Sequence, residues 1–191
     1  MASREGFAVV VLMLCFSSTV AQQPAPASPY DVDEVYRVYS VLLPREESYE
    51  FARGTLVIQE ETVSEHLDTK CLTKAATRKF KDAIVDYERA NTKQWLLQRL
   101  FQSEKPYGLV SSDAIKAAFK ERFWDSFESR YPGSGGYITF SAVGFNNDKT
   151  LAVVYTGSSC GGLCGRWGFH VLEKINGQWK EVAGVTCFTV S

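Results

Sequence analysis

Apolar residues in the N-terminal half of the chain recur every three or four positions, the spacing of helices with one buried face. Such segments predict helices over residues 30–43, 71–90 and 112–131. Two shorter β-branched segments, at 55–61 and 107–110, predict strands. The sequence therefore places its helices early, with few strands among them.

The apolar period changes to two after a glycine-rich break at Pro132–Gly136. Asn176-Gly177 predicts a two-residue turn, because Asn and Gly tolerate the positive φ angles that such a turn needs. This turn sets Ile175 opposite Gln178, and it sets Glu173 opposite Lys180. The alternating segments predict four strands, at 137–145, 150–158, 167–175 and 178–190.

This order of elements predicts an α+β fold, in which N-terminal helices pack on one face of a C-terminal four-stranded antiparallel meander. A two-layer arrangement of this kind resembles the cone-like folds of cystatins and of nuclear-transport-factor-like proteins. The resemblance rests on element order alone. The length of the chain predicts a single domain, over residues 30–191.

The first residues have the pattern of a secretion signal. Arg4 precedes an apolar run from Phe7 to Phe16, and small residues at Thr19 and Ala21 suit cleavage after position 21. The apolar run is too short to span a bilayer, which disfavours the alternative of a retained anchor. We therefore expect a cleaved signal peptide at 1–21, a flexible tether at 22–29 and an extracytoplasmic location, periplasmic or secreted.

Composition excludes some partners. Lys and Arg number 21 against 22 Asp and Glu, a net charge of −1, and no basic cluster suits nucleic-acid binding. No segment after the leader is long and apolar enough to cross a membrane. The two histidines, His66 and His170, lack the spacing of known zinc ligands, so no metal or cofactor is expected.

Four cysteines remain after cleavage at position 21, and in an oxidising compartment they favour disulfides over buried free thiols. In the predicted register Cys160 and Cys187 lie two strand spacings apart, about 9.5 Å, which is too far to bond. Cys160–Cys164 is therefore the first choice, and Cys71–Cys187 follows by elimination. A bulge in the last strand would allow Cys164–Cys187 instead.

The glycine-rich loop 157–166 contains the candidate chemistry. It lacks the lysine and the following helix of a phosphate-binding loop. Cys160 and Cys164 lack the helix N-terminus that activates redox thiols, so a thiol–disulfide role is an alternative only. A hydrolase-like site is another alternative, with Ser158, Ser159 or Cys160 as nucleophile beside His170. In the predicted register Thr156 faces His170, and no acid is placed to orient the imidazole.

A binding role is the first hypothesis. The candidate binding residues are Arg166, Trp167 and Trp179. Arg166 and Trp167 follow the two loop cysteines, and Trp179, opposite Lys174, is expected on an exposed sheet face. An exposed aromatic side chain suits an unknown protein, peptide or glycan partner. This hypothesis treats the chain as a non-enzymatic binding or structural domain.

Motifs in the last third are similar to those of one group of proteins. Tyr131-Pro-Gly-Ser134, Ser141-Ala-Val-Gly-Phe-Asn146, Cys160-Gly-Gly-Leu-Cys-Gly165 and Leu172-Glu-Lys-Ile-Asn-Gly-Gln-Trp-Lys180 follow one another. This succession resembles a group of secreted bacterial proteins with no assigned activity. The resemblance implies a bacterial, extracytoplasmic setting, and it transfers no functional residue.

Overall fold

The structure, a computed structural model, describes residues 27–44, 54–64, 68–72, 74–120, 122–184 and 187–191. The predicted signal peptide, His66 and most of the predicted tether lie outside these residues. Within them the protein is a mixed α/β structure with five helices and a large sheet. The helices are α1 (Asp33–Leu42), α2 (Lys74–Lys79), α3 (Lys81–Ala90), α4 (Ser112–Ala118) and α5 (Trp124–Arg130).

Ten strands form two sheets in the described residues. The strands are β1 (Ser28–Pro29), β2 (Leu56–Gln59), β3 (Trp95–Leu96), β4 (Tyr107–Val110), β5 (Tyr137–Phe140), β6 (Gly144–Phe145), β7 (Leu151–Gly161), β8 (Cys164–Ile175), β9 (Gln178–Glu181) and β10 (Cys187–Val190). The main sheet has the order β10-β8-β7-β5-β2-β4, with β6 beside β7 and β9 beside β8, while β1 pairs with β3.

The sheet is buried on both faces, so the helices form two outer layers rather than one. Val154 and Leu172 pack with α1 in the larger core, whereas Val153 and Val171 pack with α2 and α3 in a second core. Because successive strand residues point to opposite faces, these two cores lie on opposite sides of the sheet. The expected two-layer arrangement, with helices on one face, is therefore wrong.

The first predicted helix begins later than expected. Ser28 and Pro29 pair with Trp95 and Leu96 as a short parallel bridge, and α1 starts at Asp33 without a side-chain cap. Tyr30 is buried, and its hydroxyl accepts from the Val143 amide at 3.2 Å. Burial of this ring against the sheet fixes the backbone that precedes the helix.

The other two predicted helices are each broken into two. The predicted helix 71–90 divides into α2 and α3 at Phe80, and 112–131 divides into α4 and α5. Ser111 caps α4, with its Oγ accepting from the Ala114 amide at 3.3 Å. At the second break Phe123 has φ of 54°, a conformation outside any right-handed helix.

The predicted meander is also more divided than expected. The first predicted strand is interrupted between β5 and β6, and the last between β9 and β10. β2 pairs with β4 and β5 in parallel, so the sheet is mixed, whereas the predicted meander is entirely antiparallel. The Asn176-Gly177 turn is present with positive φ at both residues, and the register that it predicts for β8 and β9 is confirmed.

Candidate functional site

The cysteine loop is a long antiparallel hairpin, not an irregular loop. β7 continues to Gly161 and β8 begins at Cys164, so most residues of the predicted loop belong to paired strands. The register shifts once, between Ser159 and Gly161, as at a β-bulge. Leu163 at the tip has 90% of its surface exposed.

Two cysteine pairs lie at disulfide distance, and they are the two pairs preferred in the sequence analysis. Cys160 and Cys164 join the two strands of the hairpin near its tip, with Cα atoms 5.0 Å apart. Cys71 joins Cys187 across 116 residues, with Cα atoms 5.9 Å apart. The second pair ties β10 to the segment that precedes α2.

The register that led to the second pair differs from the prediction. An unbroken strand after the Asn176-Gly177 turn would place Cys187 opposite Arg166. Cys187 lies opposite Phe169 instead, because β9 ends at Glu181 and pairing resumes with β10 at Cys187. An odd shift of register turns a side chain to the other face of a sheet. Cys187 therefore points to the α2–α3 face, where Cys71 lies, and not to the face of Arg166.

A groove of about 350 Å³ lies beside the hairpin tip. Its walls come from β7, β8 and β10, and the residues that line it are Ser158, Cys160, Leu163, Cys164, Gly165, Arg166, Phe188, Val190 and Ser191. Val190 has 73% of its surface exposed. Among the lining residues that the structure describes, the groove thus combines exposed apolar side chains with one charged side chain, that of Arg166.

Arg166 is held in place by an aromatic ring. Its guanidinium carbon lies 3.7 Å from the ring centroid of Phe188, a cation–π contact between β8 and β10. The positive charge of Arg166 also contributes to the lowered pKa of Glu181, after the larger contribution of His170. The contact places the guanidinium over β10, at the groove.

The predicted binding residues do not share one surface. Trp167 and Arg166 project from opposite faces of the sheet. The indole of Trp167 lies over Gly157 and Gly165, where a Cβ atom would come within 2.5 Å of the ring. Trp179, expected to be exposed, is buried at 6% exposure, and its Nε1 donates to the Glu34 carboxylate. Helix α1 covers this part of the sheet, which the sequence analysis did not anticipate.

His170 lies at the centre of a chain of hydrogen bonds on the groove face. Its Nδ1 lies 2.7 Å from Glu181 Oε1, and its Nε2 lies 2.8 Å from Thr156 Oγ1. Because an ionised carboxylate only accepts, Nδ1 donates to Glu181. This bond is the main cause that holds the pKa of Glu181 below its usual range. The ring of Phe188 packs edge-on against the imidazole, at 4.9 Å between centroids.

None of the three predicted nucleophiles contacts His170. Ser158 Oγ donates to the Arg166 carbonyl at 3.4 Å, Ser159 points to the opposite face, and Cys160 is bonded to Cys164. The residue directly opposite His170 is Val154, so the predicted register is off by two residues. Thr156 keeps its place on the same face and supplies the hydroxyl.

Glu181 is the acid that the sequence analysis missed. The Asn176-Gly177 turn pairs Leu172 with Glu181, which puts Glu181 diagonal to His170 on the same face of the sheet. The confirmed register of this turn contained the necessary signal. No three potential metal ligands cluster anywhere in the described ranges.

The fold and its two cystines define a mixed α/β protein with a groove beside a cross-linked hairpin. In the described part of the chain, no helix has the length and apolar character needed to cross a membrane. Neither a protein-family model, nor a curated protein, nor a solved structure matches the chain. The resemblance to secreted bacterial proteins and the likeness to cystatins or nuclear-transport-factor-like proteins stay predictions.

Proposed function

We propose that the chain is an extracytoplasmic binding domain that takes its ligand into the groove beside the Cys160–Cys164 hairpin. The observation that carries the proposal is Arg166, stacked on Phe188 at 3.7 Å in a groove that also exposes Leu163 and Val190. Interface hot spots combine Arg and aromatic anchors with apolar contact in this way. A protein, a peptide or a glycan is the ligand class that this surface suits.

The hairpin gives this surface its rigidity. Two long strands and a cystine near the tip hold Leu163 and Arg166 in one arrangement before any ligand arrives. A ligand that meets an ordered site loses less conformational entropy on binding. The cystine is thus a structural part of the binding surface, and the thiol–disulfide alternative is not favoured.

Export is part of the proposal. The apolar leader with small residues at its end is typical of a secretion signal, and two cystines suit an oxidising compartment. Sequencing of the purified chain from its N-terminus should begin at Gln22. Its four cysteines should resist alkylation until a reductant is added. A start at Met1 together with four reactive thiols would overturn this part of the proposal.

A larger groove, of about 680 Å³, lies between the end of α1 and the β8–β9 turn. Pro44 is in its wall, and the chain then continues through residues 45–53, which lie outside the described ranges. The hairpin groove is favoured because Arg166, stacked on Phe188, lies there beside the exposed side chains of Leu163 and Val190.

Hydrolysis is the second candidate, because Thr156, His170 and Glu181 reproduce the order of a hydroxyl, imidazole and carboxylate triad. A triad also needs donors for the oxyanion. The amide of Thr156 faces Gly168 in the β7–β8 ladder, and the next amide, of Gly157, faces Thr139 in the β5–β7 ladder. Both nearby donors are thus used by the sheet, which favours a structural role for this chain of hydrogen bonds.

Glycan and peptide arrays test the binding proposal directly. We expect ligands bound by the mature protein to be lost with Leu163→Ser and with Arg166→Gln. Val85→Ser and Arg130→Gln are matched controls, since Val85 is an exposed apolar residue on α3 and Arg130 stacks on Tyr131 far from the groove. Equal binding by all four variants, or no bound ligand at all, would contradict the proposal.

Nitrophenyl ester hydrolysis separates the second candidate from the first. If the triad is catalytic, Thr156→Val and His170→Asn both remove hydrolysis, and the ligand bound on the arrays is a substrate. The binding proposal predicts no hydrolysis above the buffer rate for the wild-type protein.

A further inference from the structure

Among the described residues, no strand pairs with the outer edge of β10, and the backbone pattern of β10 shows which groups face outward. The Ser191 amide donates to the Gly165 carbonyl at 3.1 Å, which makes this pair a hydrogen-bonded pair of the antiparallel ladder. Hydrogen-bonded pairs recur every second residue, so Cys187 and Thr189 also bond to β8. The amides and carbonyls of Phe188 and Val190 therefore point away from β8, and no strand of the described residues pairs there.

The sequence of β10 leaves this edge unprotected. Proteins usually guard an edge strand with charged side chains, proline or a bulge. β9, which extends along the same side of β8, carries Lys180 and Glu181. β10 reads Cys-Phe-Thr-Val and has neither a charge nor a proline. The unguarded part of the edge is thus the part that borders the hairpin groove.

Charge and apolar surface beside this edge define what could pair with it. Phe188 and Val190 place their side chains on the groove face, next to the tip residue Leu163. Arg166 is the charged side chain among the groove-lining residues, and its guanidinium already lies over β10. The nearby carboxylate of Glu181 is bound by His170 at 2.7 Å. Arg166 therefore favours an acidic group on any strand added outside β10.

We propose that β10 binds an extended peptide of a partner protein by strand addition, with an acidic side chain of the peptide on Arg166. This inference rests on the proposed function of the groove and specifies its ligand. Backbone hydrogen bonds to Phe188 and Val190 supply affinity, and alternate peptide side chains enter the groove beside Leu163. Glutamate or aspartate at one of these alternate positions supplies the specificity.

A defined probe tests this inference. It is an acetylated and amidated octapeptide of alternating valine and threonine, with one glutamate in place of a central threonine. Amide hydrogen exchange of the mature protein is followed by NMR with and without the probe. We expect exchange at Phe188 and Val190 to slow at least about tenfold at saturation. Tyr107 and Leu109 are internal controls, because the parallel ladder points their amides away from β2 at the other edge of the sheet.

Variants of the protein and of the probe separate the contribution of the Arg166 charge to binding from that of the backbone hydrogen bonds. Arg166→Gln should weaken the glutamate probe about tenfold, the order of one charge-assisted hydrogen bond, and should not change a glutamine probe. Arg130→Gln is the matched control and should have no effect. A probe with N-methylated valines should not bind, since it cannot pair with the edge.

Each other outcome overturns the inference in a recognisable way. Failure of the probe to bind, or binding that leaves exchange at Phe188 and Val190 unchanged, excludes strand addition. Protection that grows with protein concentration in the absence of peptide identifies a second copy of the chain as the occupant. If array ligands still require Leu163 and Arg166 in these cases, the groove remains the binding site and only its peptide mode is wrong. If they do not, the proposed function fails as well.

Discussion

The guanidinium of Arg166 and the ring of Phe188 lie 3.7 Å apart, and this contact joins two strands that are distant in sequence. Phe188 also packs against the imidazole of His170. One aromatic ring thus connects the charged group of the groove with the hydrogen-bonded chain that ends at Glu181. The groove and the His170 chain are one continuous surface of the sheet.

Phe188→Ala should therefore weaken both parts of this surface. We expect a loss of about 1–2 kcal/mol of stability from the partly buried ring and its cation–π contact. Urea unfolding measures this loss, and Phe188→Leu should recover part of it by restoring apolar contact. A change smaller than about 0.3 kcal/mol for Phe188→Ala would mean that the ring does not hold Arg166 in solution.

Acid should reveal the bond between Glu181 and His170. The lowered pKa of Glu181 means that its contribution to stability is present above the unfolded value, about 4.3. This contribution is lost as the pH falls through the lower pKa of the folded state. The stability difference between wild type and Glu181→Gln should thus shrink as the pH falls below about 5.

Urea unfolding at several pH values measures this difference. The pKa of Glu34 is also lowered in the folded protein, so both proteins lose some stability in acid. Subtraction of the two profiles isolates Glu181. A difference that stays constant down to pH 3 would contradict the bond between Glu181 and His170.

The two disulfides should contribute unequally to stability. Cys71–Cys187 closes a loop of 116 residues, and chain entropy assigns such a loop about 5 kcal/mol. Cys160–Cys164 spans four residues, for which the same relation gives about 2 kcal/mol. Urea unfolding of the two paired Cys→Ser variants tests this order. Equal losses, or the reverse order, would contradict the pairing.

Gly144 should tolerate no side chain. A Cβ there would lie 2.2 Å from the Ala83 carbonyl oxygen and 2.3 Å from the Tyr87 amide nitrogen, both in the backbone of α3. Gly144→Ala should therefore cost about 1–3 kcal/mol or more, since strand and helix must move apart. Gly162, with nothing near its Cβ position, is the matched control, and Gly162→Ala should leave thermal unfolding unchanged.

How far the sequence predicts this structure depends on which interactions are local. The Asn176-Gly177 turn predicts the pairing of β8 with β9 correctly, because two residues determine its geometry. The break between β9 and β10 is not in the predicted strand 178–190, although Gly184, which has φ of 75°, lies at it. Since that break shifts the register by an odd number, it decides which face Cys187 and Phe188 occupy.

The candidate site follows the same division. The predicted register of β7 with β8 is wrong by two residues, an even number, so it still puts Thr156 on the same face as His170. The confirmed register of β8 with β9 is sufficient to put Glu181 on that face as well. The predicted exposure of Trp179 is wrong because the residue is covered by α1. Its hydrogen-bond partner in that helix, Glu34, lies 145 residues earlier in the sequence. Burial by a distant helix is not encoded in the alternation of one strand.

Hydroxyl-radical footprinting tests the central claim most directly, with the ligand that the arrays identify. Oxidation of Leu163, Phe188 and Val190 is measured by mass spectrometry with and without that ligand. The account predicts that oxidation of these three side chains falls when the ligand is bound, while the exposed residues Val85 and Phe123 remain unchanged. Unchanged oxidation of all three groove residues at saturating ligand would contradict it.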